Sequence, residues 1–176
     1  MRPRSPENSF RGSFALETSS NILIRPAVLE DIPSILGLAE EFVIRQILLP
    51  RSAEELRENY RNFLVACDFS GAVIGMGALR PFGDGLFEVR SLAVSPEHQG
   101  GGIGGKIVQA LLERARAMTP PASCVFTLTK RPHFFEMLGF VPRPKEAFPV
   151  KIWADCRICP KRECCDETAL EFRLDS

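Results

Sequence analysis

The sequence predicts an α/β (α+β) fold, one domain with a mixed, mostly antiparallel sheet flanked by helices. Three observations predict it. Short apolar runs bounded by turn residues interleave with segments whose apolar residues recur at i, i+3 and i+4, the patterns of strands and of helices with one buried face. From Glu88 to Ala117 a strand, a glycine-rich turn and an amphipathic helix follow without a break. A chain of 176 residues lies in the usual range for one domain and is long enough to bury a core.

Taken in order, residues 1–20 carry basic residues but no continuous apolar run, so they do not match a secretory signal and read as a disordered tail before a domain over 21–176. Ile22 to Ala27 reads as a first strand. Asp31 to Phe42 reads as a helix, with Ile32, Ile35, Leu36, Leu38 and Ala39 on its apolar side. Leu49-Pro50-Arg51-Ser52 breaks the chain, and Ser52 with Glu55 three positions on forms a capping-box pattern for a helix running to about Arg61. Phe63 to Ala66 is a strand, Asp68 to Gly71 a hairpin turn, and Ala72 to Leu79 the partner strand. Glu88 to Val94 is a mostly buried strand that Pro96 ends. The next helix begins at Ile103 and carries Ile107, Val108, Leu111, Leu112 and Ala115 on one face. Cys124 to Thr129 is a further strand, and Phe134 to Leu138 a short helix that Gly139 stops.

Lys plus Arg equal Asp plus Glu at 22 each, which argues against a general binder of nucleic acid or membrane surface and makes any anion site local. No apolar run approaches the roughly 20 residues that span a bilayer. With no secretory signal, the expected location is the cytoplasm.

The glycines between the strand and the long helix, Gly100, Gly101, Gly102, Gly104 and Gly105, let main-chain N–H groups turn toward an anion at the positive end of the helix; a pyrophosphate is the natural guest. It is not the NTPase phosphate loop, because Lys106 is followed by Ile107 and no hydroxyl is present for magnesium. Nor is it the dinucleotide fingerprint, which belongs near a first strand. Val94-Ser95-Pro96 followed by Gln99-x-x-Gly102-x-Gly104 resembles the acetyl-CoA loop of the GNAT N-acetyltransferases, and Phe134-Phe135-Glu136-Met137-Leu138-Gly139-Phe140 resembles a second segment of that family. The resemblance implies acetyl-CoA as cofactor, held by Leu92, Ala93, Val94, Gln99, Gly100, Gly101, Gly102, Ile103, Gly104 and Gly105, with Phe135 lining the CoA channel. It also gives the Leu92 main chain a catalytic part, as donor to the oxyanion. Where many members carry a tyrosine that protonates the leaving thiolate, this chain has Phe134 or Phe135; a thiol with a pKa of about 8.5 leaves without one.

Further segments narrow the resemblance. Ile35 to Leu38 leading to Leu48 to Leu56, then Gly77 to Phe82, Glu88 to Val94 and Phe126 to Thr129 resemble, in order, the acetyltransferase domain of bacterial N-acetylglutamate synthases, in the short form that lacks a preceding amino-acid-kinase domain. That implies L-glutamate as acceptor in the first step toward arginine. An ammonium group must lose a proton before it attacks a thioester, and Glu88, aligned with the family's glutamate, is the candidate general base. A dicarboxylic acceptor needs cations, for which Arg51 is the first candidate and Arg90 and Lys130 the next, with a hydroxyl from Thr129. Another small amine or a protein lysine is the alternative acceptor, and a homo-oligomer is compatible with the family.

Four of the six cysteines fall at Cys156, Cys159, Cys164 and Cys165. C-x-x-C with a following pair is the spacing of a thiolate zinc or iron–sulfur site, so these four are candidate metal ligands. Val150 to Glu167 also resembles a cysteine-bearing tail of the short synthase-like proteins. Reduced thiols and a reversible disulfide are the other readings, the second compatible with a non-catalytic, CoA-binding or redox-responsive regulator.

Overall fold

The structure is a computed structural model that describes residues 22–159 and 161–174. The sequence-predicted tail, residues 1–20, lies outside the described residues.

One seven-stranded sheet organises the chain. Its strands are β1 (Leu23–Pro26), β2 (Phe63–Cys67), β3 (Val73–Gly83), β4 (Leu86–Val94), β5 (Cys124–Thr129), β6 (Val141–Arg143) and β7 (Thr168–Arg173), in the order β1-β2-β3-β4-β5-β7-β6. Every pairing is antiparallel except β4 with β5. The helices are α1 (Ile32–Ile44), α2 (Ala53–Asn59), α3 (Ile103–Arg116), α4 (Pro132–Glu136) and α5 (Pro149–Ala154).

The period-2 alternation of the strands divides the core between the two faces of the sheet. On one face Leu79, Val89, Val125 and Leu170 meet Ile103, Ile107, Val108 and Leu111 of α3. On the other, Phe63, Val65, Met76 and Ala78 meet Ile35 and Phe42 of α1 and Leu56 of α2, and Phe126 stacks on Phe148 just before α5. Two glycines of β3 let α3 settle close to the sheet. A Cβ on Gly75 would lie 3.0 Å from Ile107 Cδ1, and one on Gly77 2.8 Å from Ile107 Cγ2.

Ser52 caps α2 by accepting a hydrogen bond from the Glu55 N–H at 3.1 Å. The other half of the predicted capping box is replaced, because the Glu55 carboxylate pairs with Arg51. β3 runs four residues beyond the predicted end at Leu79 and turns into β4 through Asp84-Gly85, both at positive φ (49° and 73°). This is the two-residue turn that an Asp-Gly pair favours between strands.

Two irregularities shape β4. Its pairing with β5 covers only Leu86, Glu88 and the residue between them, opposite Cys124 to Phe126, so the strands part beyond Glu88. The β3–β4 register also slips between Met76 and Ala78, where Ser91 takes φ 53°. A bulge of this kind breaks the alternation. Arg90 and Ser91, consecutive in sequence, therefore both line cavities on the α1–α2 side of the sheet.

Candidate active site

Glu88 lies in the middle of the sheet, between Arg80 on β3 and Phe126 on β5, with only 2% of its surface exposed. A bare carboxylate at that depth is costly unless it is paired. Its partner is Lys151 of α5, which is 7% exposed and brings Nζ to 2.8 Å from Glu88 Oε1. The same ammonium group reaches Asp155 Oδ2 at 2.6 Å. Asp155 in turn accepts from Arg80 Nη1 at 2.8 and 3.0 Å and from Arg90 Nη1 at 3.2 Å. Burial would push the Asp155 carboxyl up, but the Lys151 and Arg80 hydrogen bonds and the Arg90 charge outweigh it and hold it at about 2.

One oxygen of this network is left over. Glu88 Oε2 is buried and has no hydrogen-bond partner among the described residues, with Arg90 Nη1 at 3.7 Å. An unpaired acceptor of this kind is a place for a donor from outside the protein or for a bridging water.

Beside the network a cavity of about 180 Å³ is lined by Arg51, Arg80 and Arg90 against two carboxylates, Glu55 and Asp155. Arg51 is fixed by Glu55 and by Ser91 Oγ, which its Nε meets at 3.2 Å. Burial lowers the Arg51 guanidinium from its ordinary value, and the neighbouring charge of Arg90 adds to that, against the pull of Glu55. Three guanidinium groups converging on one hollow suit a carboxylate ligand, which they meet in planar, paired geometry.

Beyond the bulge, the glycine loop joins β4 to α3. Gln99 donates from Nε2 to the Val94 carbonyl at 2.9 Å, tying the loop back to the strand end. Gly100 and Gly102 take φ 84° and 76°, a region that residues with a Cβ rarely adopt, and a Cβ at either would meet nothing within 4 Å. Gly102 precedes the first turn of α3 and gives it no side-chain cap. The first N–H groups of the helix are thus left without a side-chain acceptor, at the end where its dipole favours negative charge. This cradle fits the pyrophosphate of CoA.

Of the other candidates, Leu92 packs against the α3-side core and Ala93 is buried under α1, so the main chain at the bulge is what each can offer a ligand. Phe135 is 4% exposed in the core, edge-on to Phe134 and Phe140, and Phe134 is the aromatic that faces the loop, its Cζ 3.4 Å from where a Gly104 Cβ would stand. Thr129 and Lys130 do not join the guanidinium cavity. Thr129 Oγ1 accepts from the Arg131 N–H, and Lys130 pairs with Asp166 at 3.0 Å.

The metal expectation finds no support. Among the described residues no three His, Cys, Asp or Glu side chains gather as ligands, and Cys156, Cys159, Cys164 and Cys165 are all free thiols. Burial pushes the Cys156 thiol up and the neighbouring charge of Cys165 adds to it, so these two lie near each other, but no third ligand joins them among the described residues. Sequence reasoning missed Lys151, Asp155, Arg80 and Glu167. Burial pushes the Glu167 carboxyl up, against the pull of Lys151 and Lys145 and with the charge of Glu88 adding to it. The Lys151–Asp155 spacing of four, a pair on one helical face, was the available signal.

A split parallel pair, a bulge at the split and a glycine cradle before α3 together define a CoA-dependent acyltransferase, and the chain belongs to the GNAT acetyltransferases, as an N-acetyltransferase. The family model for the acetyltransferase (GNAT) domain matches residues 59–142. The chain is 40% identical over 154 residues to an uncharacterized N-acetyltransferase of Chlorobaculum tepidum, covering 86% of this chain and 96% of that one. It is 35% identical over 129 residues to the amino-acid acetyltransferase of Pseudomonas putida, covering 72% of this chain but only 29% of that protein's length. Among solved structures it resembles the N-acetylglutamate synthase of Neisseria gonorrhoeae complexed with CoA and N-acetyl-glutamate, with TM-score 0.78, 29% identity, and coverage of 88% of this chain and 35% of that one. It also resembles a Mycobacterium tuberculosis protein in complex with CoA, with TM-score 0.73, 29% identity, and coverage of 87% and 99%. No helix among the described residues is long and apolar enough to cross a membrane.

Proposed function

We propose that the chain transfers the acetyl group of acetyl-CoA to the α-amino group of L-glutamate, the reaction that opens arginine biosynthesis. The observation that carries the acceptor is the cavity lined by Arg51, Arg80 and Arg90 next to the unpartnered Glu88 Oε2, with Arg90 reaching both Asp155 at the cavity wall and Glu88. The names of the relatives point the same way: amino-acid acetyltransferase for one and a complex with N-acetyl-glutamate for another.

In this reading acetyl-CoA supplies an activated acyl thioester, held through its pyrophosphate by the main chain of Gln99 to Gly105. The guanidinium groups fix the acceptor's carboxylates, so its ammonium group points toward β4. Glu88 Oε2 accepts a proton from that ammonium, directly or through one water, and the paired Oε1 keeps the carboxylate in place. Lys151 positions Glu88 rather than touching the acceptor. The Leu92 main chain, at the bulge, serves as donor to the oxygen on which negative charge develops; a donor of that kind lowers the barrier by about 3 kcal/mol.

The test is thiol release from acetyl-CoA with L-glutamate, L-glutamine, L-aspartate, a polyamine and a lysine peptide. Glutamate should give the highest kcat/KM. A polyamine or lysine peptide ahead of every carboxylate-bearing acceptor would overturn the reading. In Glu88→Gln, kcat should fall by roughly a hundredfold or more, as for loss of a general base, with CoA affinity retained.

A further inference from the structure

A second, larger cavity adjoins the charged one and is of opposite character. It measures about 350 Å³ and is walled by Ile35, Ala39 and Val43 of α1, Leu48 of the following loop, and Met76 and Ser91 of the sheet. Its polar lining is limited to Glu40, Arg51 and Ser91, and it shares Arg51 and Phe63 with the guanidinium cavity. Ser91 is the bulge residue itself, directly before Leu92. The cavity therefore reaches the residue that precedes the oxyanion donor of the reading above.

An acetyl methyl group fills only a small part of such a space, and a dicarboxylic acceptor has no reason to enter it, since its carboxylates find their partners in the guanidinium cavity. The remaining hydrocarbon in the reaction is the acyl chain of the donor. We propose that this apolar cavity is an acyl-chain pocket, so that the enzyme binds and transfers acyl groups longer than acetyl, of about four carbons, from their CoA thioesters. The inference rests on the CoA and acceptor assignments made above.

The transfer balances as it does for acetyl. The acceptor ammonium gives one proton to the base and attacks as the amine. The N–C bond forms, the C–S bond breaks, and the electron pair leaves on sulfur. The second proton of the former ammonium neutralises the thiolate through solvent, giving an N-acyl amino acid and CoA thiol.

The experiment measures binding of CoA and its S-ethyl, S-butyl and S-hexyl thioethers by titration calorimetry, which requires no turnover. Burial of one methylene is worth about 0.8 kcal/mol, so affinity should rise roughly two- to fourfold per added methylene from ethyl to butyl. In Ala39→Phe and in Val43→Phe, which fill the cavity, that rise should vanish; circular dichroism and binding of CoA itself report whether each variant is folded. A flat series in the unmodified protein overturns the proposal, as does a rise that persists in folded, filled variants. L-leucine or L-methionine outperforming L-glutamate as acceptor also overturns it, by assigning the cavity to the acceptor. Failure of every CoA species to bind would instead refute the underlying glycine-loop assignment.

Discussion

Replacing Lys151 by Met tests the buried network from which the site is built. Lys151 Nζ is ion-paired with Glu88 Oε1 at 2.8 Å, and it bridges to Asp155 at 2.6 Å. Removing one partner of a buried pair generally costs about 3–5 kcal/mol, because the other charge is left uncompensated. Here Glu88 keeps Arg90 at 3.7 Å, and Asp155 keeps Arg80 and Arg90, so the lower end applies, about 3 kcal/mol. For a chain of this size that lowers Tm by roughly 6–12 °C. The double variant Lys151→Met with Glu88→Met removes both charges and should be less destabilised than Lys151→Met alone, a coupling of about 2 kcal/mol or more. Urea unfolding followed by circular dichroism reads both, with an unchanged slope confirming that the native and denatured states remain comparable. A Lys151→Met cost below about 1 kcal/mol with additive singles would place the pair in effectively solvated surroundings and refute the reasoning.

Arg51→Met should raise KM for the carboxylate acceptor by about 10- to 100-fold, the cost of a charge-assisted hydrogen bond, with Arg51→Lys restoring little because the planar fork is lost; steady-state kinetics at saturating acetyl-CoA measures it. Asp155, held at about 2 in the fold, contributes stability that is complete above the unfolded carboxyl value of 3.8 and is lost as pH falls toward 2. Asp155→Asn should therefore remove about 1–2 kcal/mol at pH 7 and flatten the acid limb between pH 4 and 2 in pH-dependent urea unfolding. Gly77→Val sets a Cβ 2.8 Å from Ile107 Cγ2 and 3.1 Å from Leu111 Cδ1, both fully buried, and overpacking of that kind should cost about 1–3 kcal/mol in thermal unfolding.

The β4–loop–α3 unit was legible because two independent periodicities flank a run of glycines. The structure brackets it within a residue or two, with β4 at Leu86–Val94 and α3 at Ile103–Arg116. The Asp84-Gly85 pair carries an equally local turn signal, and in the sheet Pro81 pairs with Phe87 next to that turn. β6 and β7 left little trace. β6 has three exposed residues, and β7 derives its order from β5 and β6 on either side. α4 has five residues, too few for a period to say which of Phe134 and Phe135 faces inward.

The site divides along the same line. Arg51, Glu88 and Arg90 came from segments with a recognisable pattern, and the structure sets Arg51 and Arg90 on one cavity with Glu88 beside it. Lys151, Asp155 and Glu167 come from the C-terminal segment, where the cysteine spacing drew the reading toward metal. What that segment provides is an ion-pair roof over Glu88, a long-range arrangement created by packing of α5 and invisible to local pattern. The bulge at Ser91 is of the same kind: no residue there demands a positive φ, and the strain, of order 1–3 kcal/mol, is imposed by the sheet.

The most direct test of the account is to incubate the protein with acetyl-CoA labelled with carbon-13 at the acetyl carbonyl and L-glutamate labelled with nitrogen-15, and to record the carbon spectrum of the product. The account predicts a new amide carbonyl split by one-bond coupling to nitrogen-15, formed at a rate proportional to enzyme and lost in Glu88→Gln. Label recovered only in acetate or in untouched acetyl-CoA, with glutamate unmodified, would contradict it.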